Sequence, residues 1–153
     1  MGRAQDLSQR SEVCADRICW LDPDDRQGAI GAYLGRLEAL RQALNRELSL
    51  GLFSFEGHLA IYPPGAFYRR HLDQFRGSEQ RTLTAILYLN PGWQHEDGGV
   101  LRLYTDPKRP DHSEGIAPQG GTLVTFLSAR FEHEVEPATR ARLSLTGWFK
   151  RRA

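Results

Sequence analysis

Two hydrophobic spacings divide the chain at Gly51. Ahead of it, Ile30, Tyr33, Leu34, Leu37, Leu40, Leu44 and Leu48 recur mostly at three- and four-residue steps. Such spacing lays one apolar stripe along a helix. Asp22-Pro23-Asp24-Asp25 supplies acidic cap candidates before it. Gly51 is placed to close it as a left-handed cap. The stripe predicts a helix lying on one face of a sheet. Arg17-Ile18-Cys19-Trp20-Leu21 reads as a short strand ahead of it.

Beyond Gly51 the period falls to two. Leu52–Tyr62 runs into the turn Pro63-Pro64-Gly65, and Phe67–Leu72 follows as a short strand. In Thr82–Asn90, Leu83, Ala85, Leu87 and Leu89 alternate with Thr82, Thr84, Ile86 and Tyr88. Both faces are fairly apolar, as an interior strand requires. Val100–Tyr104, Thr122–Leu127, His133–Val135 and Arg142–Phe149 complete the strands. Many short strands punctuated by Gly and Pro indicate a sandwich or barrel, and two packed sheets fit best.

Length and charge narrow the class. A chain of 153 residues fits one domain. We expect residues 1–15 to be a flexible N-terminal segment and 16–150 to be the domain. A net charge of +1 provides no field to draw nucleic acid or an anionic membrane. No apolar run reaches the ~20 residues that cross a bilayer, and the N-terminus lacks a signal core. The expectation is a cytoplasmic protein. Cys14 and Cys19 are too few for a zinc site. They read as reduced thiols, with a local disulfide as the alternative.

The chemistry concentrates in four residues. His71 and Asp73 lie two apart, so on a strand they share a face. His133 follows far along the chain, just after an apolar strand, and Arg142 comes nine residues later. Two imidazoles and a carboxylate can occupy three adjacent positions around a ferrous ion and leave the others open. An inward arginine is costly without a partner, and a bidentate carboxylate would satisfy it. A lone His-x-Asp is ordinarily a surface turn, so the specificity lies in the whole set. Tyr62 and Tyr88 are candidates for the same cavity, against a plain core-packing role. His58 reads as a satisfied structural histidine. His95 and His112 read as solvated loop residues, and Glu132 and Glu134 as outward-facing. Lys150-Arg151-Arg152 reads as a solvated tail.

These residues resemble the 2-oxoglutarate and Fe(II)-dependent oxygenases, and among them the prolyl 4-hydroxylase group that includes the oxygen-sensing hydroxylases. The resemblance runs from about Arg17 to Phe149. It is carried by Tyr62-Pro63, Tyr68-x-x-His71-x-Asp73, Ile86-Leu87-Tyr88-Leu89-Asn90 with Trp93, and Gly98-Gly99-Val100-Leu101-Arg102-Leu103. His133-Glu134-Val135-x-Pro137 and Arg142-x-Ser144-x-Thr146-x-Trp148-Phe149 complete it. It implies a mainly β (α+β) fold, a double-stranded β-helix of the jelly-roll, cupin-like type with one main supporting helix. It implies His71, Asp73 and His133 as iron ligands. Arg142 and Tyr88 would hold the distal carboxylate of 2-oxoglutarate, and Tyr62 and Thr146 would border that co-substrate. Leu101 and Trp148 would form the pocket wall. Arg81 and Arg102 would face the target chain, and Trp20 would line its approach.

The expectation is an Fe(II)- and 2-oxoglutarate-dependent dioxygenase. It would use O2, release succinate and CO2, and hydroxylate a prolyl residue in a protein or peptide, with ascorbate as an accessory reductant. A translation factor is a candidate target for bacterial members of this type. A monomer is expected. Two rivals stand beside this reading: the same chemistry on a small molecule or other substrate, and a non-catalytic domain sensing 2-oxoglutarate or iron. The family pattern usually carries a helix and strand ahead of a mobile flap, and this chain begins close to that flap.

Overall fold

The computed structural model describes residues 17–74 and 77–153. The expected flexible segment, 1–15, lies outside the described residues. The chain folds into β1 (Ile18–Trp20), α1 (Gly28–Leu48), β2 (Ser54–Tyr62), β3 (Tyr68–His71) and β4 (Arg81–Tyr88). After a 3₁₀ turn at His95–Asp97 come β5 (Leu101–Leu103), β6 (Glu114–Ile116), β7 (Leu123–Leu127), β8 (His133–Val135) and β9 (Arg142–Lys150). A five-stranded sheet of order β1-β2-β9-β4-β7 faces a four-stranded sheet of order β3-β8-β5-β6. All pairings between these strands are antiparallel. This is the double-stranded β-helix, or jelly roll, with one supporting helix.

Register sorts the large sheet into two faces. Across β2 and β9 the partners are Tyr62 and Arg142, Ala60 and Ser144, His58 and Thr146, and Glu56 and Trp148. Across β9 and β4 they are Ser144 and Tyr88, Thr146 and Ile86, and Trp148 and Thr84. Because side chains alternate with period two, these residues share the face towards the small sheet. There Ile86, Tyr88, Val124 and Phe126 pack against Leu101, Leu103 and Val135. The opposite face carries Leu83, Ala85 and Phe149, which α1 covers with Leu34 and Leu37. Leu37 is 3% exposed, and burying one such side chain contributes about 1.5–3 kcal/mol. The two-faced pattern of β4 is thus explained: one face meets the helix and the other meets the small sheet.

Local signals fared less well than the periodic ones. The helix begins after Gln27, with no side-chain cap. The Asp25 carboxylate instead accepts from the Gln27 N–H, 2.8 Å away, and that of Asp22 from the Asp24 N–H at 2.9 Å. The acidic run therefore builds the turn before the helix. The left-handed residue closing α1 is Ser49 (φ 52°), whose N–H donates to the Asn45 carbonyl. Gly51 is also left-handed (φ 67°) but lies two residues further on. The expectation of reduced thiols is corrected at Cys19, which is disulfide-bonded; Cys14 lies outside the described residues. Among the described residues no helix is long and apolar enough to cross a membrane.

Candidate metal centre and co-substrate cavity

His71 ends β3 and His133 opens β8, and the two are register partners in the small sheet. Their rings lie 4.3 Å apart, centre to centre. Asp73 is not on the strand: β3 stops at His71, and the bend that follows turns the carboxylate inward. The chain's reversal at Asp73, not the pleat, therefore completes the group. Asp73 Oδ1 sits 3.5 Å from His71 Nε2 and 3.3 Å from His133 Nε2. One ligand atom from each residue lies within 4.8 Å of the other two. That is the spacing of three donors around one cation.

The surroundings fix each donor's direction. Asp73 Oδ2 accepts from Thr84 Oγ1 at 2.7 Å and from Trp148 Nε1 at 3.2 Å. Thr84 Oγ1 also lies 2.9 Å from Ser128 Oγ, and both residues are fully buried. One carboxylate oxygen is thus committed to the large sheet, and the other is left for the imidazoles. His71 Nδ1 lies 2.6 Å from the Arg69 carbonyl, and His133 Nδ1 lies 3.3 Å from the Phe131 carbonyl. A carbonyl there takes Nδ1–H, so each Nε2 is aimed at Asp73: it donates in the imidazolium form and presents a lone pair in the neutral form. Burial pushes the Asp73 carboxyl up. The hydrogen bonds from His133 and His71, with that of Thr84, outweigh it and hold Asp73 far below the usual carboxylate range. Hydrogen bonding to Asp73 in turn raises His71 against burial. A divalent cation would take the same lone pairs and displace any proton.

A cavity of about 190 Å³ runs from this trio along the large sheet to Arg142. Arg142 is 5% exposed, and no ion pair satisfies it among the described residues. Its guanidinium lies 5.0 Å from the centre of the Tyr62 ring. Tyr88 is fully buried, and its hydroxyl has no hydrogen-bond partner. Burial raises the Tyr88 phenol to about 12, partly offset by the charge and the close approach of the Arg142 guanidinium. Gly99 makes room for this arginine: a Cβ there would meet Arg142 Cδ at 3.3 Å and Trp93 at 3.1 Å. A buried cation beside an unmet hydroxyl is a receptor for a carboxylate.

Of the other residues singled out, Tyr62, Leu101, Thr146 and Trp148 all line the cavity. Trp20 meets His58 edge-on at 4.9 Å. Arg81 lies over the Trp148 ring at 3.7 Å and pairs with Glu56 at 3.2 Å, at the metal end of the sheet. Arg102 does not reach the cavity. Leu101 and Leu103 point inward, so Arg102 points out, where it pairs with Glu136 at 2.7 Å. Glu132 and Glu134 are bound to Arg70 and Tyr104 rather than to the trio. His95 and His112 are exposed. His58 corrects its reading: it lines the cavity, and its buried Nδ1 has no partner. Sequence reasoning also passed over Tyr68, Ser144, Thr84 and Ser128. Thr84 and Ser144 shared a period-two column with Tyr88 and Arg142, a signal that could have found them.

A jelly roll that gathers two imidazoles and a carboxylate at one end of a cavity, with a buried arginine at the other, defines a class. It is that of mononuclear metal proteins with a carboxylate-binding co-ligand pocket. The family model for the 2OG-Fe(II) oxygenase superfamily matches residues 57–150. The chain belongs to that superfamily. It is 31% identical over 155 residues to human Egl nine homolog 1, covering 94% of this chain and 35% of that protein. It thus spans about a third of that relative's length. A crystal structure of a Pseudomonas putida prolyl-4-hydroxylase superposes with a TM-score of 0.83 at 45% identity, covering 99% of this chain and 86% of that one. A Trichoplax adhaerens prolyl hydroxylase in complex with a hypoxia inducible factor oxygen degradation domain peptide gives 0.72 at 30% identity, over 87% and 61%. The donor set found here, two nitrogens and one oxygen on one side, fits Fe(II) with open positions.

Proposed function

We propose that this chain, as a domain of residues 16–150, hydroxylates a prolyl residue in a protein or peptide, using Fe(II), 2-oxoglutarate and O2. The observation that carries it is a trio shared by two spaces. On one side lies the half-enclosed cavity ending at Arg142; on the other a groove lined by Arg70, Leu72, Gln74, Arg81 and Glu132 opens beside His71 and Asp73. A small dicarboxylate suits the Arg142 end of the first, and an extended chain suits the groove and the metal end that adjoins it. The prolyl hydroxylases among the relatives support the choice of residue.

In this reading His71, Asp73 and His133 hold the iron. Arg142 and Tyr88 bind the distal carboxylate, and Tyr62, Thr146, Leu101 and Trp148 wall the co-substrate. Arg81 and Trp20 border the target. Bound iron with 2-oxoglutarate supplies the oxidising chemistry, in which O2 yields succinate, CO2 and a hydroxylated C–H bond. Thr84 and Trp148 hold the Asp73 carboxylate in its orientation. The fully buried Leu101 helps exclude water from the cavity. We further assign it as a cytoplasmic monomer, with ascorbate as accessory reductant and a translation factor as one candidate target.

The test is incubation with Fe(II), 2-oxoglutarate and a peptide panel. The panel holds translation-factor sequences, a hypoxia inducible factor degradation-domain peptide and collagen-like repeats. One-oxygen mass gain at a proline, matched by succinate, is the expected result. Iron and 2-oxoglutarate binding with no peptide product would overturn the prolyl assignment.

A further inference from the structure

His58 is a buried polar group packed against two indoles, with one ring nitrogen unmet. It is 7% exposed, projects from β2 into the cavity, and leaves Nδ1 without a partner. Burial, reinforced by the nearby Arg81 charge, lowers its pKa against smaller effects of its own backbone, of Glu56 and of the Leu59 backbone. A buried ring nitrogen that forgoes water and finds no protein partner is unfavourable unless something else meets it. Its position says what. His58 lies four residues along β2 from Tyr62, the register partner of Arg142. At the usual rise per residue the two backbone positions are about 13 Å apart. His58 is therefore at the metal end of the cavity, away from the dicarboxylate anchor. Asp73 is held from the β4 side by Thr84, whereas His58 faces in from the opposite side, towards the sheet edge formed by β1. Two indoles flank it: Trp20 at 4.9 Å and Trp148 at 5.7 Å.

We propose that His58 is a recognition residue for the target chain, its Nδ1–H donating to a main-chain carbonyl next to the reacting proline while Trp20 and Trp148 flank the contact. The proposal rests on the prolyl reading above. Proline has no N–H, so the nearest main-chain polar atoms around its ring are carbonyl oxygens. A neutral imidazole can donate from Nδ1, and burial keeps this one neutral. The half-buried Trp20 indole provides an apolar wall for a pyrrolidine ring, and Trp148, capped by Arg81, backs His58 from the other side.

The experiment compares wild type, His58→Leu and His58→Asn on the panel peptide that wild type hydroxylates. Asparagine can place an amide donor near the position of Nδ1; leucine cannot. KM is measured separately for peptide and for 2-oxoglutarate. Binding of the fluorescein-labelled peptide to Mn(II)- and 2-oxoglutarate-loaded protein is read by anisotropy without turnover. Leucine should raise the peptide KM and Kd about tenfold, the effect of one lost buried hydrogen bond. The 2-oxoglutarate KM should stay unchanged, and asparagine should retain most of the affinity. An unchanged peptide KM in His58→Leu overturns the proposal. So does equal loss in both variants, which would make the role one of shape, and so does a matching rise in the 2-oxoglutarate KM. If wild type hydroxylates no proline, the prolyl reading falls and takes this one with it. If wild type does and the variants behave alike, only this one falls.

Discussion

Arg142 is a cation buried at 5% exposure with no carboxylate among the described residues to meet it. Two opposite consequences follow from that one fact. In protein without co-substrate, Arg142→Met removes an uncompensated charge, so the fold should be unharmed or stabilised. With 2-oxoglutarate present the same change removes the partner of a desolvated carboxylate, a loss of roughly 2–5 kcal/mol for buried charged pairs. At one hundred times Kd a ligand adds about 2.7 kcal/mol to stability. At about 2–4 °C per kcal/mol for a domain of this size, that is a rise of roughly 5–11 °C in Tm. Even the smallest of those losses weakens affinity about thirtyfold and leaves under ~1 kcal/mol of ligand stabilisation at the same concentration. The assay is thermal melting of Mn(II)-loaded protein with and without 2-oxoglutarate. Wild type should gain several degrees, and Arg142→Met no more than about 4 °C, while its co-substrate-free melt stays at or above that of wild type. A variant that keeps the full 2-oxoglutarate shift would refute the carboxylate role. One that melts far lower without ligand would show that the arginine holds the fold together.

Three further outcomes follow from the same geometry. Thr84→Val removes the 2.7 Å hydrogen bond that aims the Asp73 carboxylate and should weaken metal binding about 10–100-fold; anaerobic Fe(II) titration that finds equal affinity would dismiss the orienting role. Leu37→Ala, at a side chain 3% exposed under the large sheet, should cost about 2–5 kcal/mol in urea unfolding and leave metal stoichiometry unchanged, since α1 covers the face away from the site. His58 prefers to stay neutral in the fold, because burial and then the charge of Arg81 lower its pKa, with Glu56 acting the other way. The unfolded chain takes the proton first, near pH ~6.5, so stability falls as pH drops through that value towards the lower folded pKa. His58→Leu should flatten this part of the acid limb, and superimposable pH–stability curves would count against it.

How far the fold could be read depended on whether a signal was periodic or local. The stripe of α1 and the alternation in β4 survive because burial enforces them over many residues at once. The helix start was misread because Asp22 and Asp25 have a competing local use: the same carboxylates that cap a helix also close a turn. At the site, His71 and Asp73 were paired correctly for an incomplete reason. Strand alternation would put both on one face, but the chain leaves the strand between them, and a bend cannot be read from spacing. Arg102 is the reverse case: its neighbours Leu101 and Leu103 alternate inward, so period two alone turns Arg102 outward, and the resemblance adds only what it would face there. His58 was misread because a histidine in mid-strand normally finds a partner in the core.

These cases share a physical rule that sharpens the site. β2, β9 and β4 have neighbours on both sides, so a polar side chain on their inner face cannot reach bulk solvent sideways and must find a partner in the fold or in a ligand. On that face Thr84 finds Asp73 and Ser128, and Ser144 finds Thr146 at 3.3 Å. Among the described residues Arg142 has no ion pair, and the Tyr88 hydroxyl and His58 Nδ1 are buried without a partner. Arg142 and Tyr88 stand together at the end of the cavity away from the trio, and His58 stands towards the metal end. The unmet groups therefore fall into two sets, one at each end of a single cavity. Two separate ligands meeting at the metal account for that distribution; one dicarboxylate alone would leave His58 unexplained.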